Sequence, residues 1–204
     1  MLCMKTALYG GSFDPPHLGH LAVARQVLER FAVDRLVFIP ASHSPLKDGT
    51  PAATDADRLE MLRLVAAGEP RFAVSDLELA RGGVSYTVET LREWRRLNPG
   101  DELLFIAGMD SLLSLHAWRE PLEIARLCTF VTFRRPGLPL PIPSELQLPP
   151  AIAEKLVGQI VEGPLVDVSS SDIRDRASRD EPIFGLVPHP VADYIVSRGL
   201  YQRR

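Results

Sequence analysis

YGGSFDPPHLGH, residues 9–20, is the stretch that decides the fold of this chain. The apolar run before it, Thr6 to Tyr9, predicts a strand, and the glycine pair predicts a tight turn with room for a close ligand. From Leu18 to Phe31, apolar residues recur on one face, which predicts a helix. A strand, a glycine turn and a helix start aim N–H groups and the positive end of the helix dipole at one point. The stretch therefore predicts an anion site, and phosphate suits it best.

His17 and His20 lie three residues apart at the predicted helix start, so their side chains share one face. Gly19 between them leaves room for a ligand or a neighbouring strand. The alternative is a glycine turn that leads into a helix with two unrelated histidines. Because the glycine pair, the FDP run at 13–15 and both histidines occur together, the pattern favours phosphate chemistry.

Length and charge bound the class of protein. The 204 residues, 46% hydrophobic and 24% charged, suit one soluble α/β domain with an ample core. The 23 Lys and Arg residues against 26 Asp and Glu residues give a net charge of −3, so no basic field indicates a nucleic-acid partner. Any phosphate binding is expected to be local.

The cysteines and the apolar segments bear on the compartment. Cys3 and Cys128 form neither a disulfide framework nor a metal-ligand spacing, which favours a reducing cytoplasm. No apolar run approaches the ~20 residues of a membrane span, so no membrane partner is expected. The N-terminus lacks a signal-peptide core, and either Met1 or Met4 fits as the start. The sequence leaves the oligomeric state open, a homo-oligomer included.

Strand and helix patterns alternate along the rest of the chain, which predicts a doubly wound parallel sheet in a single domain, residues 1–204. The further strands are expected at Arg35–Pro40, Phe72–Ser75, Leu103–Gly108, Cys128–Phe133 and Leu165–Val168. Helices are expected at Ala56–Ala67, at Val88–Arg96, from Pro121, from Pro150 or Ala151 to Gln159, opening with the run SSSDIR at 169–174, and from Val191. Six of the 18 prolines fall within 136–150, which predicts an extended surface excursion.

Several polar residues follow the predicted strands, where open α/β sheets bind ligands. The loop 41–54 carries His43 and Lys47 and is either a solvated connection or a ligand loop. Asp110 follows a strand directly and suits either a ribose or a helix N-cap. Trp118 is either a core residue or a stacking platform. Arg58, in the first turn of a predicted helix, is either exposed or near an anion.

Two more helix starts carry hydroxyl groups. The run GGVSYT, residues 82–87, leads into a helix that Ser85 or Thr87 is expected to cap, although a cap does not explain the glycine pair. The run SSSDIR, residues 169–174, also predicts a capped helix. Its three serines and Arg174 make a second anion site as well.

These motifs carry a family resemblance. Residues 9–20 resemble the GxFDPxHxGH signature of the nucleotidyltransferases related to class I aminoacyl-tRNA synthetases. Nearly the whole chain resembles bacterial nicotinate-mononucleotide adenylyltransferases, which join nicotinic acid mononucleotide to the AMP portion of ATP. The matching segments are GGSFDPPHLGHL at 10–21, PLK at 45–47, GGVSYTVETL at 82–91, FIAGMDSLLSLHAW at 105–118, VSSSDIR at 168–174 and the tail VPHPVADYI.

The resemblance implies a Rossmann-like nucleotidyltransferase fold and a role for each matching residue. The residues expected to act in catalysis are His17, His20, Lys47 and Arg174. Those expected to bind ATP are Gly10, Gly11, Phe13, Gly108, Asp110, Arg134, Ser170 and Ser171. Those expected to bind nicotinate mononucleotide are Ser85, Tyr86, Thr87, Trp118 and Lys47. Mg²⁺ is expected as a cofactor bound through ATP phosphates, with no protein metal site.

The sequence departs from the family pattern at Ser12, at Glu89 and in the SPLK loop at 44–47, where the family commonly has Thr, Asp and Pro-Pro-His-Lys. The nearest alternatives are adenylyltransferases for nicotinamide mononucleotide or phosphopantetheine. The GGxSYT run, the GxD turn and Trp118 argue against phosphopantetheine. A non-catalytic nucleotide sensor on the same fold is the alternative from another class.

Overall fold

The computed structural model describes residues 3–43, 50–134, 137, 139–164 and 166–202. In these residues, six parallel strands form one sheet in the order β3-β2-β1-β4-β5-β6. The strands are β1 Lys5–Gly11, β2 Arg35–Pro40, β3 Phe72–Val74, β4 Glu102–Gly108, β5 Thr129–Arg134 and β6 Ile160–Glu162. This confirms the doubly wound parallel sheet that the alternation of patterns predicts.

Helices connect the strands. They are α1 Leu18–Arg30, α2 Asp55–Ala66, α3 Leu77–Arg81, α4 Thr87–Leu97, α5 Met109–Leu113, α6 Pro121–Leu127, α7 Pro150–Gly158, α8 Ser170–Ser178 and α9 His189–Ser197. None of the helices in the described ranges combines the length and apolar character needed to cross a bilayer. The two cysteines, Cys3 and Cys128, are not joined in a disulfide.

The sheet has a core on each face because successive strand residues point to opposite sides. Ala7, Leu36 and Leu104 face one core, to which α1, α2, α8 and α9 contribute. Leu8 and Leu103 face the other, which α4, α5, α6 and α7 cover. The near-continuous apolar strands of the sequence are those of a parallel sheet covered on both faces.

The strand order reverses between β1 and β4. Helices leave these two strands for opposite faces, so a crevice opens at their carboxyl ends. Gly11 ends β1 and Gly108 ends β4, so the two glycines lie at the edge of the crevice. The fold thus brings the turn of residues 9–20 to the position where open α/β sheets bind ligands.

Two local predictions are wrong. No strand occupies Val166–Val168; the sixth strand is earlier, at Ile160–Glu162, and Leu165 lies outside the described residues. Gly163-Pro164 ends this strand early because proline has no N–H for a sheet ladder. Neither Ser85 nor Thr87 caps α4: the N-cap is Tyr86, whose side chain makes no capping hydrogen bond.

The proline-rich segment 136–150 contains a buried anchor. Leu140 and Ile142 are exposed, as expected for a surface excursion. Pro143–Leu146, however, forms a 3₁₀ turn, and Leu146 is fully buried in the core beside α7. One apolar residue therefore fixes part of this segment to the domain.

Candidate active site

A cavity of about 640 Å³ lies at the carboxyl ends of β1 and β4. Its lining includes three groups of residues from separate parts of the chain. They are the glycine turn Gly10–Ser12, the segment Ser85–Thr87 before and in α4, and the segment from Gly108 to Arg119 after β4. Predicted sites that are far apart in sequence therefore share one cavity.

The glycines of the turn are required by close packing of aromatic rings. A Cβ on Gly10 would lie 3.3 Å from the Phe105 ring, and a Cβ on Gly11 would lie 3.1 Å from the Phe13 ring. Phe13 itself has a φ of 47° and is 2% exposed. The turn is thus built around a buried ring, and its backbone rather than its side chains faces the cavity.

His17 and His20 lie against each other at the start of α1. Their rings stack at 3.7 Å, and each Nδ1 accepts a backbone N–H from the other residue, at 3.2 and 3.4 Å. Since Nδ1 accepts, the proton of a neutral ring is on Nε2, which is then a donor. Burial lowers the pKa of His17 to about 4, so this imidazole is neutral at pH 7.

Gly19 has a different role from the one expected. A Cβ at this position would lie 3.0 Å from the His17 ring, and the next-nearest atom is the Val166 carbonyl oxygen at 3.8 Å. Gly19 therefore leaves room for the stacked histidine ring rather than for a ligand.

Asp14 fixes the turn through hydrogen bonds to two distant parts of the chain. Its carboxylate accepts hydrogen bonds from the backbone N–H groups of Ala52 (2.7 Å) and Ala53 (3.1 Å) and from the Tyr201 hydroxyl (2.8 Å). Burial and the neighbouring Asp14 charge raise the pKa of Tyr201 far above its ordinary value, so this hydroxyl remains a donor. The sequence did not predict the contacts of Asp14 with Ala52 and Ala53 or with Tyr201, because they join segments distant from the motif.

The start of α8 packs against the same turn. Ser169 caps the helix through Asp172, as predicted. Ser170 donates to the Pro15 carbonyl at 2.9 Å, and Arg174 donates to the Asp14 carbonyl at 2.7 Å. Ser171, next to Ser170, is exposed. The serine-rich helix start and the two histidines therefore flank one turn.

The loop before α4 is held by its own polar groups. Gly82 and Gly83 both have a φ of +68°, which only glycine adopts without strain. Ser85 donates its N–H to the His43 carbonyl (2.8 Å), and its hydroxyl accepts from Ser42 (3.0 Å). Both groups of Ser85 are thus engaged within the protein, so its predicted contact with a ligand stays a prediction.

Glu78 supports this loop from α3. The carboxylate accepts a hydrogen bond from Thr90 at 2.6 Å. Burial raises the pKa of Glu78, while hydrogen bonds from Thr90 and Ser85 oppose the rise. Glu78 was missed because α3 is only one short turn, too short for a periodic pattern.

Trp118 and Arg119 also line the cavity, and Arg119 contacts the start of α4. The Trp118 indole donates to the Ser114 hydroxyl at 3.3 Å, and its ring lines the cavity. The Arg119 guanidinium lies 4.8 Å from the centroid of the Tyr86 ring and bonds to Glu89 at 2.8 Å. The sequence did not identify Arg119. The one signal was Glu89, its partner in the structure, which stands where the family commonly has Asp.

The strand ends hold the remaining predicted residues. Gly108 is the N-cap of α5, so Asp110 lies inside the first turn and the N-cap alternative for it is excluded. Asp110 is exposed and lines the cavity. Arg134 is the last residue of β5. Lys47 lies outside the described residues, so its role stays a prediction.

The comparisons with known proteins agree with this geometry. Residues 8–176 match the cytidylyltransferase-like family. A protein of Opitutus terrae named a probable nicotinate-nucleotide adenylyltransferase is 40% identical over 98% of each chain. A protein of the same name from Thermus thermophilus is 44% identical, over 98% of this chain and 100% of its own.

The chain belongs to the nicotinate-nucleotide adenylyltransferase family. Solved structures support the fold. The nicotinic acid mononucleotide adenylyltransferase of Plasmodium falciparum, complexed with NaAD, has a TM-score of 0.76 over 97% of each chain at 18% identity. The same enzyme complexed with APC gives 0.74 at 17% identity. The family-model match and the curated relatives confirm the predicted resemblance of the chain to this family.

Proposed function

We propose that this chain transfers AMP from ATP to nicotinic acid mononucleotide, giving deamido-NAD and pyrophosphate. Full-length similarity to the adenylyltransferase family supports the reaction class. The observation that carries the choice of substrates is the shared cavity, which the glycine turn, the start of α4 and Trp118 all line. The cavity brings together the glycine turn, which suits an anion, the start of α4 and the aromatic ring of Trp118.

The chemistry is a displacement at the α-phosphorus of ATP. A phosphate oxygen of the mononucleotide forms the new bond to this phosphorus, and the bond to the oxygen that bridges to the β-phosphate breaks. Pyrophosphate leaves with the electron pair. The attacking phosphate is ionised at neutral pH, so no general base is required. Catalysis then rests on positioning and on stabilising charge.

The histidines supply donors on the turn side. With Nδ1 of each ring accepting a backbone N–H, Nε2–H of His17 and His20 is the group offered to the phosphates. The positive end of the α1 dipole adds to them. A neutral, preorganised donor needs no proton transfer during the reaction, which suits a step that only redistributes charge.

The start of α8 suits the leaving group. Ser170 and Ser171 add hydroxyls to the N-terminal N–H groups of this helix, and Arg174 adds a cation. In the proposed reaction these groups hold the β- and γ-phosphates. Asp110 accepts hydrogen bonds from ribose hydroxyls. Lys47 approaches the phosphate of the mononucleotide, and Arg134 lies on the side of ATP.

Mg²⁺ is proposed as a cofactor that enters with ATP. Within the described ranges, no group of three or more His, Cys, Asp or Glu residues is arranged to hold a metal ion. Mg²⁺ commonly keeps several waters and binds through substrate phosphates. Bound in this way, it neutralises charge between phosphate oxygens, and the protein supplies only the surrounding donors.

The start of α4 favours an acidic acceptor. Glu89 N–H bonds to the Tyr86 carbonyl at 3.0 Å, but among the described residues the Thr87 and Val88 N–H groups donate to no backbone carbonyl, and the Tyr86 side chain does not cap them. The Arg119 cation lies beside the Tyr86 ring. A nicotinate carboxylate would accept from such donors with both oxygens, whereas a carboxamide presents an NH₂ group to one of them. The unpaired group costs about 1–3 kcal/mol, and the loss of a charge-assisted hydrogen bond adds to this cost. Together they imply a preference for the acid of at least ~10²-fold in kcat/KM.

A pyrophosphate-release assay with a panel of acceptors tests the proposal. With Mg·ATP, we expect rapid release with nicotinic acid mononucleotide, release at least ~10²-fold less efficient with the amide, and none with phosphopantetheine. Mass spectrometry should identify deamido-NAD in an amount equal to the pyrophosphate. Binding of ATP without release for any acceptor would support a sensor instead, and equal efficiency for acid and amide would refute the proposed acceptor.

A further inference from the structure

Arg58 is a fully buried arginine next to the glycine turn. Its side chain is 0% exposed, although it lies in the first turn of α2, where the helix dipole disfavours a cation. A buried charge is retained only when its partners compensate for the lost hydration. Which groups Arg58 contacts therefore indicates what it does.

The contacts of Arg58 are directed at the turn. One terminal nitrogen, Nη1, donates to the Ser12 carbonyl at 2.7 Å, and Nη2 bonds to the Asp55 carboxylate at 2.6 Å. Nε is buried and has no hydrogen-bond partner among the described residues. The hydrogen bonding of the guanidinium is thus incomplete, and one of its two short bonds is to the backbone of the motif.

This bond orients a peptide group. The Ser12–Phe13 peptide is trans, so its N–H points opposite to its carbonyl. With the carbonyl directed at Arg58, the Phe13 N–H points away from the Arg58 guanidinium, and Ser12, the first residue of this peptide, lines the cavity. Within the described ranges, this N–H donates no hydrogen bond to the protein.

We propose that Arg58 is a positioning residue for ATP: it holds the Ser12–Phe13 peptide so that the Phe13 N–H faces the triphosphate. The buried cation also polarises this peptide and strengthens its N–H as a donor. The proposal rests on the proposed adenylyl transfer for its kinetic test, but its binding test requires only that ATP occupies the turn.

The test compares Arg58→Met and Arg58→Lys with Arg35→Met. Arg35 is a matched control, since it also bonds to several groups (Thr6, Asn98 and Asp101) but begins β2 at the opposite edge of the sheet. All variants are assayed where circular dichroism shows them folded. We expect Arg58→Met to lower kcat and raise the KM for ATP by at least ~10-fold each, since small misplacements at a site are costly.

Comparison of kcat with the KM values for ATP and for the mononucleotide distinguishes a positioning role of Arg58 from general destabilisation. The KM for the mononucleotide should stay within about twofold of wild type in Arg58→Met, and Arg35→Met should lower Tm yet keep every kinetic constant within about twofold. Arg58→Lys should recover part of the loss, because an ammonium can still reach the Ser12 carbonyl. Wild-type kcat and KM for ATP in folded Arg58→Met would overturn the proposal.

Two measurements remain decisive if the methionine variant does not fold or the reaction is a different one. Calorimetric titration of wild type and Arg58→Lys with a non-hydrolysable ATP analogue should show weaker binding to the variant. In wild type, the analogue should shift the ¹⁵N–¹H resonance of Phe13. Equal binding in the titration, or an unshifted Phe13 resonance, would refute the inference whatever the acceptor is.

Discussion

At the residue scale, the proposed catalysis depends on two imidazoles, His17 and His20, whose Nδ1 atoms both accept backbone N–H groups. The ring-to-backbone hydrogen bonds cap α1 and set the Nε2–H tautomer, and ring stacking at 3.7 Å fixes both orientations. Two protonated rings at this distance would repel each other, so their proximity also favours the neutral state.

His20→Ala removes one of these donors. We expect a folded protein whose kcat is at least ~10²-fold lower, the scale of losing one preorganised transition-state donor. His189→Ala is the matched control, because His189 is exposed and its ring hydrogen-bonds to Asp193 on α9. Steady-state kinetics with both substrates saturating checks this, and a near wild-type kcat for His20→Ala would remove the histidines from the phosphate site.

The low pKa of His17 predicts a pH dependence of stability. Burial lowers this pKa to about 4, below that of the unfolded chain, so the unfolded state binds the proton first as the pH falls. Stability from the neutral ring is complete above about pH 6.5 and is lost down to pH 4, by at most about 3 kcal/mol. His17→Asn keeps a capping side chain but removes the titration.

Urea unfolding at pH 7 and pH 5 measures this effect. The wild-type free energy of unfolding should fall more between the two pH values than that of His17→Asn. If the free energy of unfolding fell equally in both proteins, or more in His17→Asn, native His17 would be protonated at pH 5.

Some residue roles follow from sequence and others do not. The position of both histidines could be predicted, because their spacing fixes their face on α1. The function of Gly19 as space for a ring could not, since it depends on the rotamer of His17. The ligand contact expected of Ser85 stays a prediction, and the hydrogen bond that its hydroxyl accepts from Ser42, on a distant loop, could not be predicted. For Arg58 the sequence left open whether the side chain is exposed or lies near an anion.

At the element scale, the proposed function divides the two substrates between two helix starts. The start of α8 bonds to the turn through Ser170 and Arg174. The start of α4, whose N-cap side chain makes no capping bond, lines the cavity together with Trp118 and Arg119. A cation in the first turn of α8 opposes the helix dipole unless an anion compensates. The first helix is therefore assigned to ATP and the second to the mononucleotide.

Arg174→Ala tests this assignment. We expect the KM for ATP to rise by ~10-fold or more, the scale of a charge-assisted hydrogen bond, with little change in the KM for the mononucleotide. Arg176→Ala, an exposed arginine on the same helix, should leave both values unchanged. A rise confined to the mononucleotide would reverse the two sites.

The sequence predicted most elements, and its errors have physical causes. Long periodic runs such as α1 and buried runs such as β2 were predicted with nearly the right bounds. The strand β6 has only three residues and α3 only five, too few to show a period. Tyr86 as an uncapped N-cap runs against the usual preference for hydroxyl side chains, which is how a ligand site departs from local rules.

At the scale of the whole molecule, topology accounts for the position of the site. The strand order reverses between β1 and β4, and both the glycine turn and the Gly108 turn lie at that edge. This could be predicted, because alternating strands and helices leave few topologies. The anchors that join distant segments, Tyr201 to Asp14 and Arg58 to Ser12, could not, since they arise only on packing.

A crystal structure of the protein with deamido-NAD is the measurement that tests the proposed reaction and substrate placement most directly. We predict a nicotinate oxygen within hydrogen-bond distance, about 2.7–3.2 Å, of a backbone nitrogen in the first turn of α4. The Trp118 ring should lie against the pyridine, and the diphosphate should lie at the turn Gly10–Ser12. A pyridine ring bound away from α4, or a diphosphate bound away from this turn, would contradict the proposal.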